Sequence, residues 1–210
     1  MTKLILVKHA PPQAAPEIVS HRWVLSDEGR QRCNWLADEL GAQGVTRLYS
    51  SLEPKTLETA ALVAVRLGLA VEPRPKLHEN NRTGLGFVSE DELQRQVREF
   101  FEKPDQAVIG GETANSAFER FTEAIGNIAP ERHSRPLAIV THGAVLSLFV
   151  TRHNTITPFD LWARLALPSY VVLDAASFTF DGEVHNHPEA SSNRAPGSAA
   201  RRGPTVAARR

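Results

Sequence analysis

Two stretches of the chain repeat one pattern. Leu4-Ile5-Leu6-Val7 and Leu137-Ala138-Ile139-Val140 are unbroken apolar runs, and each passes through a single polar residue, Lys8 or Thr141, to a histidine, His9 or His142. An apolar run of this length with an abrupt stop predicts a strand buried on both faces, as in the middle of a parallel sheet. Pro11 and Pro12 cannot extend a ladder, so the chain turns away just past His9. Both histidines therefore fall at the carboxyl ends of strands, where open α/β sheets hold their ligands. If the strands are parallel neighbours, the two rings lie side by side. Gly143, directly after His142, permits close approach of backbone or ligand.

The intervening pattern supplies the other elements. Residues 13–24 have little periodicity and read as a loop across the mouth of the sheet. Ser26 caps a helix with Asp27 and Glu28 in its first turn; Trp35, Leu36 and Leu40 give it an apolar face, and Gly41 ends it. Residues 45–49 predict a second short strand, ending in Ser50 and Ser51. A helix follows over 54–67, with Pro54 in its first turn and Gly68 at its end. Lys55 thus sits in the first turn of a helix launched from a strand's carboxyl end, where free N–H groups and the helix dipole favour an anion. Residues 69–75 predict an edge strand because Pro73 and Pro75 cannot donate to a ladder.

From residue 76 to 136 the pattern changes. A polar run, Leu77-His78-Glu79-Asn80-Asn81-Arg82, leads into a glycine-rich stretch over 83–88 and then two amphipathic helices, about 90–102 and 112–128. We read 76–136 as a cap-like insertion over the carboxyl edge of the sheet, with Phe100, Phe101, Phe118 and Phe121 packed in the core. Beyond the second histidine come a helix from 144 to about 152 and strands at 169–173 and 176–180, with Asp181-Gly182 as a hairpin turn. From residue 188 onward Ala, Ser, Arg, Gly and Pro predominate, which predicts a disordered basic tail. Residues 1–187 are then a single α/β domain.

Composition narrows the chemistry. Twenty-four basic residues balance 24 acidic ones, so no net field draws the chain to nucleic acid or to an anionic membrane, although a local cationic pocket is compatible with this. A single cysteine, Cys33, excludes an internal disulfide and any cysteine-based zinc cluster, and a reducing cytoplasm is the simplest home. Residues 1–7 are too short for a secretory core, and no apolar run approaches the roughly 20 residues needed to span a bilayer. What remains is the constellation of His9, His142, Lys8 and Lys55 at strand ends and one helix start.

In chain order these segments resemble the histidine phosphatase superfamily, with its phosphoglycerate mutase-like fold. Leu6-Val7-Lys8-His9-Ala10 is similar to that family's leading Arg-His-Gly or Arg-His-Ala signature, and Leu25-Ser26-Asp27-Glu28-Gly29-Arg30 to its Leu-Thr-x-x-Gly segment. Tyr49-Ser50-Ser51-Leu52-Glu53-Pro54-Lys55-Thr56-Leu57-Glu58-Thr59-Ala60 resembles its Ser-Ser-x-x-x-Arg-x-x-x-Thr-Ala segment, and Val140-Thr141-His142-Gly143 its second histidine motif. The resemblance implies a three-layer α/β sandwich with a mostly parallel central sheet and helices on both faces. It makes His9 the nucleophile, passing through a phosphohistidine. A neutral imidazole suits that role near pH 7, and nearby cations keep it unprotonated. Lys8, Lys55 and His142 would surround the transferring phosphoryl oxygens, and Glu79 is the candidate proton donor.

Two departures stand out. Lysines, Lys8 and Lys55, occupy places where the family usually has arginine, keeping the charge but losing the bidentate fork. Arg22 or Arg82 is the candidate to supply the missing guanidinium. The family's asparagine shortly after the first histidine is also absent, with Ala15 near that place. The expected activity is hydrolysis of a phosphorylated small molecule or phosphoprotein without metal or cofactor. The alternatives are a mutase that returns the phosphoryl group to its substrate, and a non-catalytic member that binds phosphorylated ligands or a protein partner. A metal hydrolase on His9, His142 and Glu79 is disfavoured, since no helix carries histidines at i and i+4 with an acid between.

Overall fold

The computed structural model describes residues 2–81, 88–128 and 135–190. Its centre is a six-stranded sheet of order β3-β2-β4-β1-β5-β6, built from β1 (Lys3–Lys8), β2 (Arg47–Ser50), β3 (Val71–Pro73), β4 (Leu137–Thr141), β5 (Ser169–Asp174) and β6 (Phe180–Asn186). The pairs β1–β4, β2–β4 and β2–β3 are parallel, and β5 is antiparallel to both β1 and β6. The described helices are α1 (Asp27–Ala42), α2 (Pro54–Leu67), α3 (Glu90–Glu102), α4 (Ala114–Asn127), α5 (Gly143–Arg152) and α6 (Pro158–Arg164).

Alternation along the central strands sorts the core into two layers. Ile5 and Val7 point to one face with Leu48, Ala138 and Val140, where Leu36 and Leu40 of α1 and Ala60 and Val63 of α2 cover them. Leu4 and Leu6 point to the other with Tyr49, Leu137 and Ile139, under Phe100 of α3, Phe121 of α4, Phe149 of α5 and Leu161 of α6. Leu4, Ile5 and Leu6 are essentially inaccessible, and each such side chain contributes about 1.5–3 kcal/mol by leaving water. Covering on both faces is why the run carries no polar alternation until Lys8. As the sequence pattern predicts, Phe100 and Phe121 are buried, and Phe101 and Phe118 are packed against the same core.

The register then delivers the histidines. Lys8 pairs with Thr141 at the end of the β1–β4 ladder, and the His9 amide extends it by donating to the Thr141 carbonyl at 3.1 Å. Past His9 the chain is held by α1: the Ser26 amide and hydroxyl both donate to the Pro11 carbonyl, at 3.0 and 3.1 Å, while Ser26 Oγ accepts from the Gly29 amide. Gly29 makes this possible, because a Cβ there would lie 2.1 Å from the Pro11 carbonyl oxygen. Gly29→Ala is expected to cost about 2–3 kcal/mol through forced backbone movement, read as a lower midpoint in urea at unchanged m-value.

The strand expected at 169–173 is β5, but the last strand and its turn differ from the sequence expectation. Residues 176–179 precede the last strand in a turn and loop, and Asp181-Gly182 is not the hairpin turn; the turn lies earlier, and β6 runs from Phe180 through Gly182 to Asn186. Asp174 builds that turn, its Oδ1 accepting from the Ala176 and Ser177 amides at 3.0 and 2.8 Å. Helix α6 is an addition to the elements that the pattern predicts. The first helix runs one residue past Gly41, to Ala42. The basic tail falls almost wholly outside the described residues.

Candidate functional site

The carboxyl ends of β1, β2 and β4 open on a cavity of about 670 Å³, bordered by Lys8, His9, Arg22, Lys55, Glu79 and His142. These are six of the seven site residues read from the sequence; the seventh, Arg82, lies outside the described residues. His21 and Trp23 also border the cavity, so the loop over 13–24 does cross its mouth.

His9 is buried and its tautomer is set. Nδ1 lies 2.8 Å from the Ala10 carbonyl, which can only accept, so Nδ1 carries the proton and Nε2 of the neutral ring keeps its lone pair. Burial pushes the His9 pKa well below the usual 6.5, and the charges of Lys55 and then Lys8 add to this against the Ala10 hydrogen bond. The neutral imidazole is therefore the form present at neutral pH. His142 stands beside it with ring centroids 5.4 Å apart and planes at 67°. Its Nε2 is 3.1 Å from Ser51 Oγ and 3.5 Å from Glu53 Oε1.

The two lysines are buried and positioned differently. Lys8 Nζ donates to the Leu165 carbonyl at 3.0 Å and lies 5.9 Å from the centroid of the Trp162 ring. Gly143 leaves room for both, since a Cβ there would lie 3.2 Å from Trp162 Nε1 and 3.3 Å from Lys8 Cε. Lys55 Nζ donates to the Ser20 carbonyl at 2.8 Å and to Glu53 Oε2 at 2.7 Å. Thr59, one turn on, ties that helix to the segment after His9: its hydroxyl donates to the Lys55 carbonyl at 2.7 Å and accepts from the Ala10 amide at 3.1 Å.

Glu79 is fastened to the start of α5. Its Oε2 accepts from the Ala144 amide at 3.1 Å, and its Oε1 from the Val145 and Asn80 amides at 3.2 and 3.0 Å. A carboxylate is well matched to the free N–H groups and positive dipole end there. Because α5 begins directly after His142, one helix start places both the acid and the second histidine.

Four residues of this arrangement, Glu53, Trp162, Arg120 and Glu112, are not among those singled out by the sequence. Glu53 joins Lys55, His142 and the Glu79 backbone, whose amide donates to Glu53 Oε1 at 3.2 Å. Trp162 walls the cavity from α6. Arg120 on α4 holds the strip bearing Glu79: Nη1 donates to the Lys76 and His78 carbonyls at 2.7 and 3.0 Å, and Nη2 to the Glu79 carbonyl at 3.2 Å. Nε and Nη2 also donate to the carboxylate of Glu112, at 2.7 and 3.0 Å, and Glu112 in turn accepts from the Asn81 amide. Burial pushes the Glu112 carboxyl up, but the hydrogen bonds and charge of Arg120 hold it below the usual value. The available signal is thin: an acid just before Pro54, and an arginine on the amphipathic face of the second inserted helix. Among the described residues, no group of three or more His, Cys, Asp or Glu side chains is placed to share a metal ion, and no helix is long and apolar enough to cross a membrane.

Fold and site together define an α/β protein with paired strand-terminal histidines in a cation-lined cleft. The model of the histidine phosphatase superfamily (branch 1) matches residues 4–186, and the chain belongs to that superfamily. It is 26% identical over 155 residues to phosphoglycerate mutase-like protein 4 of Arabidopsis thaliana, covering 69% of this chain and 67% of that protein. Phosphoserine phosphatase 1 of Hydrogenobacter thermophilus is 25% identical over 151 residues, 68% of this chain and 71% of that one. Among solved structures, the native mycobacterial glucosyl-3-phosphoglycerate phosphatase superposes with a TM-score of 0.69 at 17% identity, covering 85% of this chain and 95% of its own.

Proposed function

We propose that the chain is a phosphatase that hydrolyses a phosphomonoester through a phosphohistidine on His9. The observation that supports this is the setting of His9: a buried imidazole in the cavity wall whose Nδ1 lies 2.8 Å from the Ala10 carbonyl, an acceptor, which leaves the lone pair on Nε2. In the first step Nε2 attacks phosphorus, the ester P–O bond breaks, and the leaving oxygen takes a proton from Glu79, which enters this step as the carboxylic acid and leaves it as the carboxylate. In the second, Glu79 as carboxylate removes a proton from water, whose oxygen attacks phosphorus; the P–N bond breaks and inorganic phosphate leaves. Lys8, Lys55 and His142 stabilise the charge on the transferring oxygens, and Arg22 at the cavity rim is available to the rest of the substrate. The names of two relatives, a phosphoserine phosphatase and a glucosyl-3-phosphoglycerate phosphatase, favour a phosphorylated small molecule as substrate. The single buried thiol of Cys33 fits a reducing compartment such as the cytoplasm.

An aryl phosphate tests this directly, because its good leaving group makes little demand on the proton donor. The expected result is release of phosphate and phenol in equal amounts. The His9 pKa lies below the unfolded value, so protonation silences the nucleophile only well below pH 6.5. The limb of kcat/KM attributable to His9 is accordingly expected in that acidic range. Failure to turn over any phosphomonoester would overturn hydrolysis, and phosphoryl migration within a phosphoglycerate without phosphate release would establish a mutase instead.

A further inference from the structure

Glu53 is the least expected group in the cavity. It precedes Pro54 at the N-cap position of α2, and its side chain makes no capping bond. The carboxylate turns into the cavity instead. Oε2 takes a hydrogen bond from Lys55 Nζ at 2.7 Å, while Oε1 takes one from the Glu79 amide at 3.2 Å and stands 3.5 Å from His142 Nε2. Two of the groups it engages, Lys55 and His142, are the ones that the phosphatase reading assigns to phosphoryl oxygens.

From this geometry we propose that Glu53 is an internal carboxylate latch on the phosphate subsite, holding Lys55 in the free protein and giving it up when a phosphoryl group binds. The inference rests on the phosphate-binding reading of the preceding section. An ammonium has three donors, and in the free protein two of those on Lys55 go to internal oxygens, Ser20 O and Glu53 Oε2. Both side chains of the pair are nearly buried, at 7% and 11% exposed, so the contact is little screened by water. A phosphoryl oxygen brought to Lys55 and His142 meets this carboxylate at close quarters, and like charges there oppose binding. Displacement of the latch uses part of the binding energy, and its return to Lys55 after hydrolysis favours release of phosphate. The device makes Glu53 a specificity-determining residue: it sets how tightly a small free anion is held, independently of contacts to the rest of the substrate.

The test is calorimetric titration of the full chain with inorganic phosphate, which requires no turnover. Glu53→Gln keeps the shape and the acceptor for the Glu79 amide but removes the charge. It is expected to tighten phosphate about tenfold, which is 1.4 kcal/mol. Glu53→Asp, which withdraws the carboxylate from Lys55 while keeping it nearby, is expected to tighten phosphate by a smaller factor, roughly threefold. Circular dichroism establishes that each variant is folded, and the Asp variant decides the matter if the Gln variant is not. Phosphate affinity that is unchanged or weakened in the folded variants overturns the latch while leaving the phosphate site intact, provided the parent binds phosphate and Lys55→Ala weakens it. Absence of phosphate binding in the parent and both variants overturns the phosphate-site reading itself, and the latch with it.

Discussion

His9→Ala is expected to lower turnover of an aryl phosphate by roughly four orders of magnitude or more, the scale seen when a covalent nucleophile is removed from a working site. The fold is expected to survive. His9 contributes its amide to the end of the β1–β4 ladder, a bond that alanine retains, and the side-chain bond to the neighbouring Ala10 carbonyl is lost without leaving a charge behind. Its burial as a neutral ring already opposes protonation. Far-UV circular dichroism and the urea midpoint should therefore stay near the parent while kcat collapses. Substantial turnover in the alanine variant would assign the chemistry to another group.

Arg120→Ala is expected to have the largest effect on stability, although Arg120 does not border the cavity. The guanidinium pairs with Glu112 and donates to three backbone carbonyls, and the two side chains are only 13% and 11% exposed. Removing the guanidinium from this largely buried pair leaves the Glu112 carboxylate only the Asn81 amide, a loss of about 3 kcal/mol. For a chain of this size that lowers Tm by about 10 °C. Function should fall as well, because the strip from Lys76 to Glu79 is what brings the Glu79 carboxylate to the start of α5. Slow substrates with poor leaving groups should suffer more than aryl phosphates, since only they depend strongly on the proton donor. Arg120→Lys is expected to restore part of the stability through the charge, but not the full set of carbonyl contacts, which need the planar fork. An unchanged Tm would show that Glu112 and the strip are held by something else.

How legible each feature is in the sequence follows from how it is encoded. His9 and His142 are visible because a fully buried parallel strand writes itself as an apolar run, and the residue after its end is then known to within one position. Lys55 is visible through Pro54, which marks a helix start. Glu79 can be located in a polar strip, but its seat on the Ala144 and Val145 amides depends on contacts across 65 and 66 positions. Glu53 and Arg120 escape notice for the same reason: a glutamate beside a helix start and an arginine on an amphipathic helix usually meet solvent. Only packing reveals that neither does so here.

The hairpin misleads differently. Asp181-Gly182 carries a strong turn signal, and Gly182 does adopt a positive φ of 91°, but the residue lies within β6. The turn is made instead by the Asp174 side chain, with Phe178 in the left-handed region at φ 59°, a conformation that a phenylalanine does not advertise. Helix α6 spans seven residues, too few to establish a periodic pattern, and yet it supplies Trp162 to the cavity wall.

The phosphohistidine is tested by trapping the protein during turnover of a phosphomonoester labelled in its phosphoryl group, and asking where the label resides and how it behaves. A phosphohistidine on His9 puts the label on the peptide containing Lys8 and His9, where it is lost in acid, stable in base, and missing from His9→Ala. Label that is stable in acid, that maps to another residue, or that persists in His9→Ala would contradict it.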